Sequence, residues 1–145
     1  MIENGNIEEN MNFEICTDSI EGAIVAGEYG AKRIELCSAL AVGGLTPSYG
    51  LIHQCVEESS VEVHVMIRHC VGGFCYSNKD VELMKIDIIT AKKAGAHGVV
   101  FGILTADNSV SLFNKELVDL SKKIGLEVTF HRAFDMCNNP IKALK

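Results

Sequence analysis

The segment "VEVHVMIR", residues 61–68, alternates Val63, Val65 and Ile67 with His64, Met66 and Arg68. Successive side chains of a strand point to opposite faces, so one face of this strand is aliphatic and the other carries an imidazole, a thioether and a guanidinium. The same parity recurs upstream. "RIELC" (33–37) sets Ile34 and Leu36 against Glu35 and Cys37, and "FEIC" (13–16) places Glu14 and Cys16 opposite Ile15. Downstream, "EVTFH" (127–131) sets Val128 and Phe130 against Thr129 and His131, and "GVVFG" (98–102) supplies one more apolar run. A parallel sheet with helices on both faces reads apolar throughout. A barrel does not, because helices cover only its outside and polar groups point into the lumen, concentrated near the carboxyl ends of the strands. Parity therefore predicts an α/β fold, a partial (β/α)8 TIM barrel of about five parallel strands and four complete crossover helices. The alternative is an open doubly wound parallel sheet, whose ligands also gather at strand carboxyl ends.

The segments between the strands carry helical signals. "SIEGAIVAGEYG" (19–30) and "SNKDVELMKIDIITAKKAG" (77–95) open on capping residues and end on glycine, and "SYGLIHQCVEESS" (48–60) and "NKELVDLSKKIG" (114–125) complete the set. A further helix is expected from Pro140, with Asn138 or Asn139 as its cap. "AGEYGAKRIEL" and "AKKAGAHGVVF" are one device used twice, a small-residue helix end followed by a turn and a strand, which marks a repeated βα unit. Residues 1–11, "MIENGNIEENM", read as a disordered acidic tail, and 12–145 as the amino-terminal portion of a barrel domain.

With 145 residues, 48% of them apolar, the chain is long enough to bury a core, and no run approaches the length of a membrane span. A net charge of −6 without clustered Lys or Arg argues against a nucleic-acid or anionic-membrane surface. The acidic start is unlike a signal peptide, so a cytoplasmic location is expected, with the nucleus left open. Six cysteines without any C-x-x-C pair disfavour a zinc ribbon or a dithiol redox motif; free thiols are expected, and most such residues are small core hydrophobes.

The phrases "EICTDS", "GAKRIELCSALAVGGLTPSYG", "GGFCYS", "VVFGILT" and "VTFHRAFDMCNNP" resemble the copper homeostasis protein CutC family, from about Asn12 to the last residue. The resemblance implies a (β/α)8 barrel, a role in copper homeostasis, and members of about 250 residues, the usual size for such a barrel. This chain differs in two respects. It stops just after the fifth strand, and after the third it reads Arg68-His69-Cys70-Val71-Gly72-Gly73-Phe74 where the family carries Arg-Pro-Arg-Gly-Gly-Asp-Phe, one arginine and one aspartate more.

With the family in view, Cys16 and Cys37 stand as equivalent positions on neighbouring strands about 4.8 Å apart. Soft thiolates select Cu(I), two suffice for a near-linear site, and Met66 offers a third, thioether ligand. The competing reading is an enzyme or small-molecule-binding protein of unknown substrate. In it Glu35, His131 and Asp135 supply acid-base groups, while Glu14, Arg68 and Arg132 bind the ligand. A satisfied ion pair is the plainer account of a buried Glu near an Arg. His53 and Cys55 fall on a helix and are expected to be core or surface positions, the glycine pairs at 43–44 and 72–73 are read as turns, and His97 has no evident partner. Five parallel strands leave two open edges, so association with a second chain is expected besides binding of copper.

Overall fold

The computed structural model describes residues 12–144; the predicted acidic tail lies outside them. Five strands form one parallel sheet: β1 (Glu14–Thr17), β2 (Arg33–Leu36), β3 (Glu62–Met66), β4 (Gly98–Phe101) and β5 (Glu127–Phe130). Between them run α1 (Ile20–Glu28), α2 (Tyr49–Glu58), α3 (Asn78–Lys93) and α4 (Phe113–Lys123), and α5 (Pro140–Ala143) follows β5. Ser19, Ser48 and Ser77 cap the first three helices by accepting a backbone N–H of the opening turn, and at α3 Asp80 reciprocates to the Ser77 N–H at 2.8 Å. Asn139 caps α5, with Pro140 at its first position.

The strand order is β1-β2-β3-β4-β5, the order of the chain. That decides between the two predicted architectures. A doubly wound sheet reverses its order at a switch point. Here the order never reverses, and α1 packs on α2, α2 on α3 and α3 on α4, as in consecutive units of a (β/α)8 barrel.

The two faces of the sheet are chemically separate. Ile34, Leu36, Val63, Val65, Val99 and Phe101 join Ala23, Ile52, Met84, Ile88 and Leu117 of the helices in one continuous core. The opposite face holds a small buried cluster of Cys37, Met66 and Val100, beside Glu35 and the fully buried His64. Cys55 is a core residue of α2 and His53 is exposed on the same helix, where its ring stacks on Tyr49. The glycine pairs are turns, with positive φ at Gly43, Gly44 and Gly72. His97 departs from expectation: its Nδ1 accepts the Val63 N–H at 3.0 Å, and its own N–H donates to the Val63 carbonyl at 2.9 Å, so the side chain completes the ladder at the start of β4.

Within the described residues β1 and β5 lie at the sheet edges. Around β1 the apolar side chains of Phe13, Ile15, Val25 and Tyr29 are exposed. No described helix is long and apolar enough to cross a membrane.

Candidate functional site

Parity alone does not determine which residues of neighbouring strands lie side by side. Cys16 pairs with Glu35, not with Cys37, so the expected equivalence of the two cysteines is incorrect. Cys37 lies one residue beyond the end of β2, where its N–H donates to the Thr17 carbonyl at 2.9 Å. The stagger of two residues keeps both side chains on one face, and the sulfurs still meet, 3.8 Å apart. Glu35 Oε1 lies between them, accepting from Cys16 Sγ at 3.6 Å and from Cys37 Sγ at 3.8 Å.

The environment of this cluster sets its protonation. Burial pushes the Cys37 thiol well above the ordinary thiol range, reinforced by the negative charge available at Cys16 and Glu35. Cys16 shifts the same way, through desolvation of its thiol first and Glu35 second. Burial also raises Glu35 above the usual carboxylate value, against the thiol hydrogen bonds that favour its charged form. Cys37 is 1% exposed while Cys16 is open to solvent, so the site has a sealed end and an accessible end. Met66 packs in the same small cluster as Cys37. Gly44 closes the site from above: a Cβ there would fall 3.0 Å from Cys37 Sγ, and its φ of +83° is one that side-chain-bearing residues avoid.

Glu35, Met66, Arg68, His131 and Arg132 line a cavity of ≈ 160 Å³. A larger neighbouring one, ≈ 440 Å³, is bordered by Arg68, Arg132, Asp135, Phe74 and the Gly72-Gly73 turn. Asp135 thus belongs to the outer cavity and Glu35 to the inner one, and among the described residues no hydrogen bond joins Glu35, His131 and Asp135. His131 Nδ1 accepts the Ala133 N–H at 3.2 Å, which places the proton of the neutral ring on Nε2. Burial is the main reason that its pKa falls to about 4.

Arg68 is 5% exposed, and its guanidinium donates to the carbonyls of Gly44 at 2.9 Å, Gly72 at 2.8 Å and Val42 at 3.3 Å. It also lies over the Phe74 ring, 5.7 Å from the centroid. Among the described residues no carboxylate pairs with it, and its Nε has no hydrogen-bond partner. Arg68 therefore ties together the two glycine turns and leaves its charge uncompensated beside both cavities. Glu14, exposed on β1, pairs with Arg33.

Arg33, Glu62 and Glu127 were absent from the sequence-based assignment. They surround His64, with Arg33 Nη1 3.8 Å and His64 Nε2 3.5 Å from Glu127 Oε2. Carrying the parity back to the first residue of each strand finds all three, since 33, 62 and 127 share the face of 35, 64 and 129.

Two thiols and a carboxylate within reach of one another, on one pleated face, form a donor set for a thiophilic metal ion, and their ligand atoms all lie within 4.8 Å. With metal–sulfur bonds of roughly 2.3 Å, a 3.8 Å sulfur separation spans an angle of about 110° at a shared metal. That is bent, not linear, and it leaves room for a third donor such as Glu35 or Met66.

Comparison with known proteins identifies the family of the chain. The chain is 47% identical over 135 residues to a CutC family protein of Glaesserella parasuis serovar 5, covering 93% of this chain and 55% of that protein. It is 49% identical over 133 residues to one from Vibrio vulnificus strain CMCP6, covering 91% and 53%. The chain thus spans about half the length of these curated relatives. A crystal structure from Streptococcus agalactiae, of a protein named for copper homeostasis, CutC, superposes with a TM-score of 0.77 at 35% identity, over 86% of this chain and 60% of that one. A Burkholderia cenocepacia protein named as a phosphonomutase matches at a TM-score of 0.54 and 15% identity, over 82% of this chain and 53% of that one, and so speaks to the fold alone. The CutC family pattern matches residues 11–145, and the chain belongs to the CutC family.

Proposed function

We propose that this chain takes part in copper homeostasis in the cytosol by binding Cu(I) through the thiolates of Cys16 and Cys37, with Glu35 or Met66 as the third donor. The observation that carries this reading is the 3.8 Å sulfur–sulfur separation with Glu35 Oε1 against both thiols. Two thiolates favour the soft monovalent ion over harder cations, and the sealed Cys37 end keeps water from one side of the bound ion. The name of the Streptococcus agalactiae relative points the same way. The test is a competition titration of Cu(I) against a chromophoric chelator, under reducing conditions, with the native chain and with Cys16→Ser/Cys37→Ser. The native chain should withdraw one Cu(I) from the chelator and the double variant none; equal withdrawal by both would exclude the thiolate site.

A second reading rests on Arg68. A buried guanidinium without a carboxylate partner among the described residues, on the border of a ≈ 440 Å³ cavity that Arg132 shares, suits a small anionic ligand, with Glu35, His131 and Asp135 as the neighbouring acid-base groups. Inorganic phosphate and small dicarboxylates should raise the melting temperature of the native chain and not that of Arg132→Ala. No shift with either class of anion would remove this reading.

The exposed β1 edge and its apolar surround also favour association with a second chain. Light scattering should then give a mass above the 15.8 kDa of one chain, and a cooperatively unfolding monomer would contradict it.

A further inference from the structure

We propose a second cation site, separate in its ligands from the thiol cluster, in which Glu62, His64 and Glu127 hold a borderline divalent ion of the Zn²⁺ class near the amino-terminal ends of β3 and β5. The three side chains come from the polar face of the sheet, and one ligand atom from each lies within 4.8 Å of the others. Carboxylates alone on a surface would carry no such argument. The distinctive member is His64, which is 0% exposed and, among the described residues, has no hydrogen-bond partner on Nδ1 or on Nε2. A buried imidazole with both nitrogens unpaired forfeits interactions it makes in water. Its Nε2 is directed at Glu127, 3.5 Å from Oε2, close without being hydrogen-bonded. A cation between them would engage that nitrogen and the carboxylate together.

The backbone is shaped for this ring position. Gly98 stands between His64 and Glu127 in the register of the sheet, and a Cβ there would fall 2.4 to 2.7 Å from the ring atoms of His64. Only glycine lets the imidazole lie flat across β4 toward β5. Burial and the nearby Arg33 hold the His64 pKa below its ordinary value, so the ring is neutral near pH 7, the form in which histidine binds metal. Glu62 and Glu127 are exposed and free to turn toward the ring, and imidazole with carboxylate oxygens at roughly 2.0–2.2 Å is an ordinary ligand set for Zn²⁺, leaving a position for solvent. Arg33 is the opposing charge. Its Nε is engaged by Glu14, and its Nη1 is 3.8 Å from the same Glu127 oxygen that approaches His64, so a cation at this site competes with the guanidinium for Glu127.

The test is calorimetric titration of Zn²⁺ into the native chain and into Cys16→Ser/Cys37→Ser, which removes the competing thiols, with NMR observation of the imidazole nitrogens. One Zn²⁺ should bind in the double variant, shift the His64 ring nitrogens, and bind at least about tenfold more weakly when Glu127→Gln is added. Glu127 is 67% exposed on its side chain, so that substitution leaves the core intact, whereas His64→Ala risks the fold. His64 nitrogens unmoved at saturating Zn²⁺, or an affinity indifferent to Glu127→Gln, would overturn the site.

Discussion

Raising the pH by one unit is expected to tighten Cu(I) binding to the native chain by about a hundredfold. Both thiols have pKa values raised above the ordinary 9.0, by burial first and by neighbouring negative charge second, so both are protonated across the neutral range. A thiol ligates as its thiolate, and each Cu(I) bound therefore releases two protons to solvent. Each released proton contributes about a tenfold change in affinity per pH unit, and the sign is fixed: affinity climbs with pH until the thiols of the free protein themselves deprotonate. The same shifts act on stability without metal. A raised folded-state pKa stabilises below the unfolded value and is lost above it, so the metal-free chain should weaken at alkaline pH. Chelator competition from pH 6.5 to 8 reads the slope directly. A slope of one proton per ion would leave a single cysteine as ligand, and a flat profile would remove both.

His131→Asn should be the more acid-resistant protein. The native ring is buried with a pKa near 4 against an ordinary 6.5, chiefly through desolvation, with Arg68 and Arg132 adding to the depression. For a depressed pKa the stabilisation is present above the unfolded value and disappears as pH falls through the folded one. Between pH 6.5 and about 4 the native chain should therefore lose roughly 3 kcal/mol through this residue. Asparagine places an acceptor near the position of Nδ1, which accepts the Ala133 N–H, and has no proton to gain. His64 is depressed too and remains in both proteins, as do Asp80 and Asp107, whose lowered values also favour acid lability. The informative quantity is thus the difference between the two urea-unfolding profiles. It should narrow by about 3 kcal/mol from pH 7 to pH 4, and parallel profiles would mean that the buried ring is not the source.

Alternation along "VEVHVMIR" and "RIELC" separates an aliphatic face from a polar one because a pleated strand has a period of two whatever surrounds it. Helix ends were readable for an equally local reason: Ser19, Ser48 and Ser77 offer an acceptor to the first-turn amides, and Gly30 and Gly95 adopt the positive φ that ends a helix. The barrel-like arc needed one further fact, the order of the five strands in the sheet, which neither alternation nor capping fixes.

The relation between strands was not readable. Cys16 lies beside Glu35 because the stagger of parallel strands is set by barrel shear and by helix packing across the sheet, both non-local. Sequence parity allows any even shift equally, so it could bring the thiols to one face without stating their register. Tertiary packing likewise decided the partners of the charges. Arg68 is held by carbonyls of two turns 24 and 4 residues away, Arg33 by Glu14 of the preceding strand, and His97 by the backbone of Val63. Those choices depend on which groups folding leaves without water, a property of the assembled core and of no single segment. The sequence by itself thus determined which residues face the lumen and which face the helices; the tertiary structure alone decided which of them touch.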